Sequence, residues 1–212
     1  MIILAAFGPD VQLYQRQFGQ LVFPRPKTCP RCDAADHLIG HGSYPRSVCD
    51  HNKALAIRVK RFLCTMCRHT ISLLPSFCLP YRHYLAGVIQ RVLDLRFQKQ
   101  ASWAIIRRHF APCELPVLST CRAWVHTFAC SAEQALPRLL QQLATWQRQP
   151  GKLELLLGEL GGLAEGPAQL LAAVPHLVAW LRESGFALPE GADRWLPALT
   201  RWGQSAKLGR LV

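Results

Sequence analysis

Cys29-Pro-Arg-Cys32 and Cys64-Thr-Met-Cys67, with 31 residues between them, decide how this chain is read. The second pair closes a run, Leu55-Ala-Ile-Arg-Val-Lys-Arg-Phe-Leu63, in which Leu55, Ile57 and Val59 alternate with Ala56, Arg58 and Lys60. That period of two is the mark of a half-buried strand, with Arg58 and Lys60 on its wet face. A Cys-x-x-Cys spacing lets both sulfurs point inward from one tight knuckle, and two knuckles close a tetrahedral site around Zn²⁺. Cys29, Cys32, Cys64 and Cys67 are therefore the expected metal ligands, on a β zinc ribbon. Four thiolates leave no open position, so the zinc would be structural. Backbone N–H groups at Arg31 and Thr65 would serve as outer-shell donors to the sulfurs. Cys49, His51 and His69 are rival ligands. A redox Cys-x-x-Cys would sit at a helix N-terminus in a βαβ pattern, and neither pair is so placed.

Outward from the ribbon, residues 1–26 hold Phe7, Val11, Leu13, Tyr14 and Phe18 without a clean period and end in Pro24-Arg-Pro26. Downstream, Pro75 and Pro80 bracket a rigid connector. From Tyr81 to Leu95 the apolar spacing becomes helical, which predicts a helix over 81–97 entered at Pro80. Ser102 caps a second helix to Phe110, and Ser119 a third over 119–129. On the third, Cys121, Trp124, Val125 and Phe128 form one stripe. This leaves Thr120, Arg122 and His126 on the other side. Beyond Ser131, segments 132–148, 152–164, 168–184 and 193–203 read as helices separated by Pro and Gly, with Pro175 expected to kink or restart one of them. The fold class expected is α+β, mostly α, in four parts. These are an N-terminal segment (1–26), a zinc ribbon (27–78), a helix-turn-helix-like unit (79–130) and a C-terminal helical bundle (131–212). Leu155, Leu156, Leu170, Leu171, Leu177 and Trp180 are candidates for the bundle's core or a dimer interface.

The 212 residues carry 25 Lys and Arg against 13 Asp and Glu, a formal net charge of +12. Residues 1–130 hold 17 of the former and 6 of the latter, net +11, which leaves +1 for 131–212. A surface this basic suits a polyanion, nucleic acid first and anionic membrane second. No apolar run is long enough to span a bilayer. Met1 to Phe7 lack the positive charge of a secretory leader, and nine cysteines is an odd number, so a reducing bacterial cytoplasm is expected over a disulfide framework. The helices 81–97, 102–110 and 119–129 suit a helix-turn-helix whose third member enters the major groove. Thr120, Arg122 and His126 would then face DNA, while Arg58, Lys60, Arg61, Arg107 and Arg108 would grip phosphates. The eight-residue loop 111–118 is longer than the usual tight turn.

His41-Gly-Ser-Tyr-Pro-Arg46, Val59-Lys-Arg-Phe-Leu-Cys64, Cys67-Arg-His-Thr70, Ser72-Leu-Leu-Pro-Ser-Phe77 and Leu79-Pro-Tyr-Arg-His-Tyr84 carry a resemblance. Together with the first knuckle they resemble the zinc-ribbon and helix-turn-helix region of bacterial insertion-sequence transposases. They are closer still to small stand-alone zinc-ribbon proteins of mobile elements. The resemblance spans residues 25–130. It implies a DNA-binding role at element ends. Double-stranded DNA is therefore the expected partner, an accessory or regulatory role in transposition the expected function, and a nucleoid-associated place in the bacterial cytoplasm the expected location. Such transposases continue into a ribonuclease-H-like domain with three metal-binding carboxylates. Here Glu133, Glu154, Glu159, Glu165, Glu183, Glu190 and Asp193 lie on helical segments with no strands to gather them, so no catalysis is expected. Two other readings stay open. One is an adaptor that recruits a recombinase or transposase. The other is a transposase subunit whose catalytic site lies on another chain. A homo-oligomer through the C-terminal helices is a separate partner reading. RNA remains an alternative polyanion.

Overall fold

The computed structural model describes residues 1–8, 11–111, 116–146, 157–163, 166–183 and 195–205. The chain is α+β and mostly α. Its β part is built on a long hairpin, β2 (Leu38–Cys49) with β3 (Ala54–Cys64), in the register Tyr44↔Val59 and Arg46↔Ile57. β4 (Thr70–Pro75) lies antiparallel on the other side of β3. β1 (Ile2–Ala5) pairs parallel with β4, giving the sheet order β1-β4-β3-β2. The alternation along β3 is obeyed: Ile57 and Val59 are buried and Arg58 is exposed.

The two faces of the sheet serve different cores. Val48, Ile57, Val59 and Leu74 join the main core with the helices. Leu38, Phe62, Ile71 and Leu73 form a smaller core with Cys29 and Cys64. The pleat dictates this split. Residues 57 and 59 point one way and 62 and 64 the other, so one strand feeds both cores.

The first 26 residues hold more structure than their pattern suggests. Besides β1 they form α1 (Val11–Gln17), whose Tyr14 is buried and donates its hydroxyl hydrogen to the Arg58 carbonyl at 2.8 Å. Rings of Phe7, Tyr14, Phe18 and Phe23 pack with centroids 5.0–5.7 Å apart. The pairing of β1 with β4 and the bond from Tyr14 to Arg58 join partners far apart in the chain, which no local period encodes.

The helix expected over 81–97 starts later. Residues 79–85 instead strap the sheet to the helices. Cys49 N–H donates to the His83 carbonyl at 2.7 Å, and Leu85 N–H donates to the Cys49 carbonyl at 2.9 Å. Arg46 Nη2 donates to the carbonyls of Leu79 (2.9 Å) and Arg82 (2.6 Å). α2 then runs over Ala86–Leu93 and continues as a π-helical turn, Asp94–Gln98. Pro80 thus sits in the strap and not at the helix start. α3 (Trp103–Phe110) is capped as expected, with Ser102 Oγ accepting from Ile105 N–H at 3.4 Å.

The expected helices 119–129 and 132–148 are one, α4 (Leu118–Trp146). The buried stripe Cys121, Trp124, Val125 and Phe128 runs on through Ala132, Ala135, Leu136, Leu139 and Leu143 in steps of one, three and four. Nothing at Cys130–Ser131 breaks a helix, so the division placed there falls inside a continuous element. Residues 157–161 make a short helical turn. α5 (Pro167–Glu183) begins with Pro167 as its first residue after Gly166, whose φ is +76°. It continues through Pro175 without a restart. α6 (Trp195–Ser205) closes the core. Trp195 Nε1 donates to Asp94 Oδ1 at 2.8 Å, Leu196 N–H donates to Gln90 Oε1 at 3.2 Å, and Trp202 Nε1 donates to Gln142. Leu170, Leu171 and Leu177 are buried with Val48 and Ile57 in one continuous cluster, and Trp180 packs at its margin. Leu155, Leu156, Glu154, Glu165, Glu190, Asp193 and Cys113 lie outside the described residues. Among the described residues no helix is long and apolar enough to cross a membrane.

Candidate metal centre and basic surface

The two Cys-x-x-Cys segments fold into the same knuckle. Asp33 N–H donates to the Cys29 carbonyl and Arg68 N–H to the Cys64 carbonyl, each at 2.9 Å. Asp33 and Arg68 adopt left-handed φ values of +56° and +59°. Each first cysteine is therefore followed four residues later by a chain reversal that turns both sulfurs inward. The hairpin brings the knuckles together, because Leu38 pairs with Cys64 and Thr65 N–H donates to the His37 carbonyl at 2.9 Å.

The four sulfurs of Cys29, Cys32, Cys64 and Cys67 all lie within 4.8 Å of one another. Cys29 and Cys67 sulfurs are 3.7 Å apart, and those of Cys32 and Cys64 are 3.8 Å apart. This set could hold a metal ion. Hydrogen bonding from the Arg31 N–H draws the Cys29 thiol down to about 6, against the desolvation that raises it. Arg31 thus supplies the outer-shell donor expected of it. Thr65 does not, since its N–H is spent on His37. The rival ligands are placed elsewhere. Cys49 ends β2 at the opposite end from Leu38. His51 Nδ1 lies 2.7 Å from Asp50 Oδ1, and His69 Nδ1 lies 2.8 Å from the Cys67 carbonyl.

The basic residues fall into separate groups. Arg58 is exposed and donates from Nε and Nη2 to Ser43 Oγ at 3.2 and 2.8 Å, with its guanidinium over the Phe18 ring. Lys60, half-buried, shares that face of β3. Arg61 does not join them. It points to the opposite face, stacks on Tyr44 with 5.6 Å to the ring centroid, and leaves its buried Nε without a hydrogen-bond partner. Arg107 and Arg108 are exposed in the last turn of α3, and α3 has no acid in its first turn. On α4, Arg122 and His126 are exposed opposite the buried stripe, and Thr120 is half-buried. His126 lies 3.8 Å from the Cys130 sulfur.

Trp103 and Arg96 were not legible as parts of this surface. The guanidinium groups of Arg96 and Arg122 lie 5.5 and 5.4 Å from the Trp103 ring centroid, so one indole holds an arginine from the π turn and one from α4. Such contacts fix the heading of a side chain that would otherwise sample many rotamers. None of Arg58, Lys60, Arg61, Arg107, Arg108 or Arg122 forms an ion pair among the described residues.

Residues 29–111, from the first knuckle to the end of α3, match a family described as a domain of unknown function (DUF6431). No curated protein and no solved structure matches the chain.

Proposed function

We propose that this chain is a zinc-stabilised, DNA-binding accessory or regulatory protein of a bacterial mobile element, without catalytic activity of its own. Zinc is favoured by geometry. Zn–S bonds of about 2.3 Å in a tetrahedron put the sulfurs about 3.8 Å apart, and two pairs here stand at 3.7 and 3.8 Å. Four protein ligands close the coordination sphere, so the ion's work is to hold the ribbon's far end, where the smaller core is only a few side chains deep.

The observation that carries the DNA reading is that Arg58, Arg107, Arg108 and Arg122 form no ion pair among the described residues of a chain of net charge +12. A charge left unneutralised by the fold is available to phosphates. Arg58, Lys60, Arg107 and Arg108 serve that purpose, and Arg122 and His126 are offered to base edges. Arg61 contributes less, because it lies on the opposite face of β3 with its Nε buried.

The test is duplex affinity as a function of salt, by fluorescence anisotropy. Four phosphate contacts give a slope of about −3.6 in log K against log salt, from about −0.9 per contact. A slope near zero rejects the reading and favours an adaptor whose partner is another protein. Tighter binding to element-end DNA than to random DNA is the expected specific signal.

A further inference from the structure

The β2–β3 turn, α1, α2 and the end of α3 surround a cavity of about 620 Å³, remote from the cysteine cluster and used by nothing in the DNA reading. Its size lies within the range of small-molecule sites, roughly 300–1,000 Å³. One side is apolar and partly aromatic: Val11, Leu55, Phe77, Val88 and Phe110. The other carries Lys53, Arg91, His109 and His51, with the amide side chains of Asn52 and Gln12.

The charges on the polar side do not cancel. Asp50 is the acid on the lining, and His51 occupies it: its Oδ1 lies 2.7 Å from both His51 N–H and His51 Nδ1. Asp94, three residues beyond Arg91, accepts from Trp195 and feels the charge of Arg91 without forming an ion pair with it. Neither Lys53 nor Arg91 forms an ion pair among the described residues. Arg91 Nε instead donates to His109 Nε2 at 3.3 Å, a neutral acceptor. Burial holds the His109 pKa down, and Arg91, Lys99 and His51 push it the same way, which reports a positive local potential. Two cations without an ion pair among the described residues suit a phosphate better than a single carboxylate, even with Asp94 partly offsetting Arg91. An aromatic and aliphatic wall on the other side of the same cavity suits a base.

We propose that this cavity binds a nucleotide. Arg91 and Lys53 hold its phosphate, Asn52 and Gln12 meet its polar groups, and Phe77, Val88 and Phe110 cover its base. The nucleotide is either free or the phosphorylated end of a nucleic-acid strand. Gly87 also lines the cavity, and a Cβ added there meets no atom within 4 Å, so a side chain at 87 starts in open space.

The experiment is calorimetric titration of the full-length, metal-loaded protein. The probes are adenosine monophosphate, adenosine, inorganic phosphate, and a short single strand with or without a 5′-phosphate. Adenosine monophosphate or the phosphorylated strand is expected to bind more tightly than adenosine, phosphate or the unphosphorylated strand. Whichever of the two binds better identifies the source. Arg91→Gln should weaken that binding about tenfold or more, the usual consequence of losing a charged hydrogen-bond donor. Gly87→Leu should weaken it comparably by filling the space, with no loss of melting temperature, since leucine favours a helix more than glycine does. Duplex affinity in Gly87→Leu should stay at the wild-type value, which separates this site from the arginine surface. The proposal is overturned if neither phosphorylated probe binds, or if binding survives both substitutions.

Discussion

Arg46→Ala probes the joint between ribbon and helices. Arg46 sits mid-strand in β2 and is part-buried, and its Nη2 donates to the carbonyls of Leu79 and Arg82. These bonds close the strap over the end of β2, next to the Cys49 pairing with His83 and Leu85. A hydrogen bond to a charged group is worth about 1.5–3 kcal/mol. The two bonds share one nitrogen and the site is partly wet, so the pair is worth about 2–4 kcal/mol and not the full sum. For a chain of this size each kcal/mol moves the melting temperature by about 2–4 °C, so a fall of about 4–16 °C is expected. Scanning calorimetry of metal-loaded protein measures it, with urea titration as an independent check. Arg46→Lys should recover only part of the loss, because one ammonium must replace a planar donor aimed at two carbonyls. A melting temperature within about 1 °C of wild type in Arg46→Ala would refute the idea that this side chain locks the strap.

Three other outcomes are expected. Natively purified protein is expected to carry one zinc per chain by mass spectrometry, and Cys64→Ser should lower that content. The substitution should also loosen the ribbon's far end, because binding and folding of such sites are coupled. Losing a base-reading arginine costs about 1–3 kcal/mol at one position. Arg122→Ala should therefore shrink the gap between specific and random DNA, whereas Arg58→Ala should lower both affinities together and flatten the salt slope by about one unit. An unchanged gap in a folded, zinc-bearing Arg122→Ala protein would remove α4 as the recognition helix. Truncation after Cys130 should abolish cooperative melting. It cuts α4 midway, strips Phe128 of Trp195, and takes the C-terminal partners from Gln90 and Asp94. A truncated protein that melts as sharply as the whole would show the C-terminal helices to be dispensable.

The sequence by itself determined the features that local chemistry encodes. The paired knuckles named the four sulfurs that converge. The alternation at 55–60 placed Ile57 and Val59 inside and Arg58 outside. Ser102 announced α3, and the stripe from Cys121 to Phe128 gave the buried side of α4. Each of these depends on residues within one turn or one strand, where spacing and geometry are the same thing. Tertiary structure decided the rest. β1 is four residues long and is defined by its parallel partner β4, about 70 positions away. Tyr81 and Tyr84 carry a helical period, yet a turn at Tyr81, whose φ is +61°, and the hydrogen bonds of Cys49 and Arg46 hold 79–85 as a non-helical strap. Arg61 reads like Arg58 and Lys60 in a list of cations, but the two-residue period of β3 turns it to the other face, onto Tyr44. The pairing of Trp103 with Arg96 and Arg122, and the cavity that gathers Lys53 and Arg91, join residues from different elements. Their proximity follows from how helices pack on a twisted sheet, and no single stretch of chain records it.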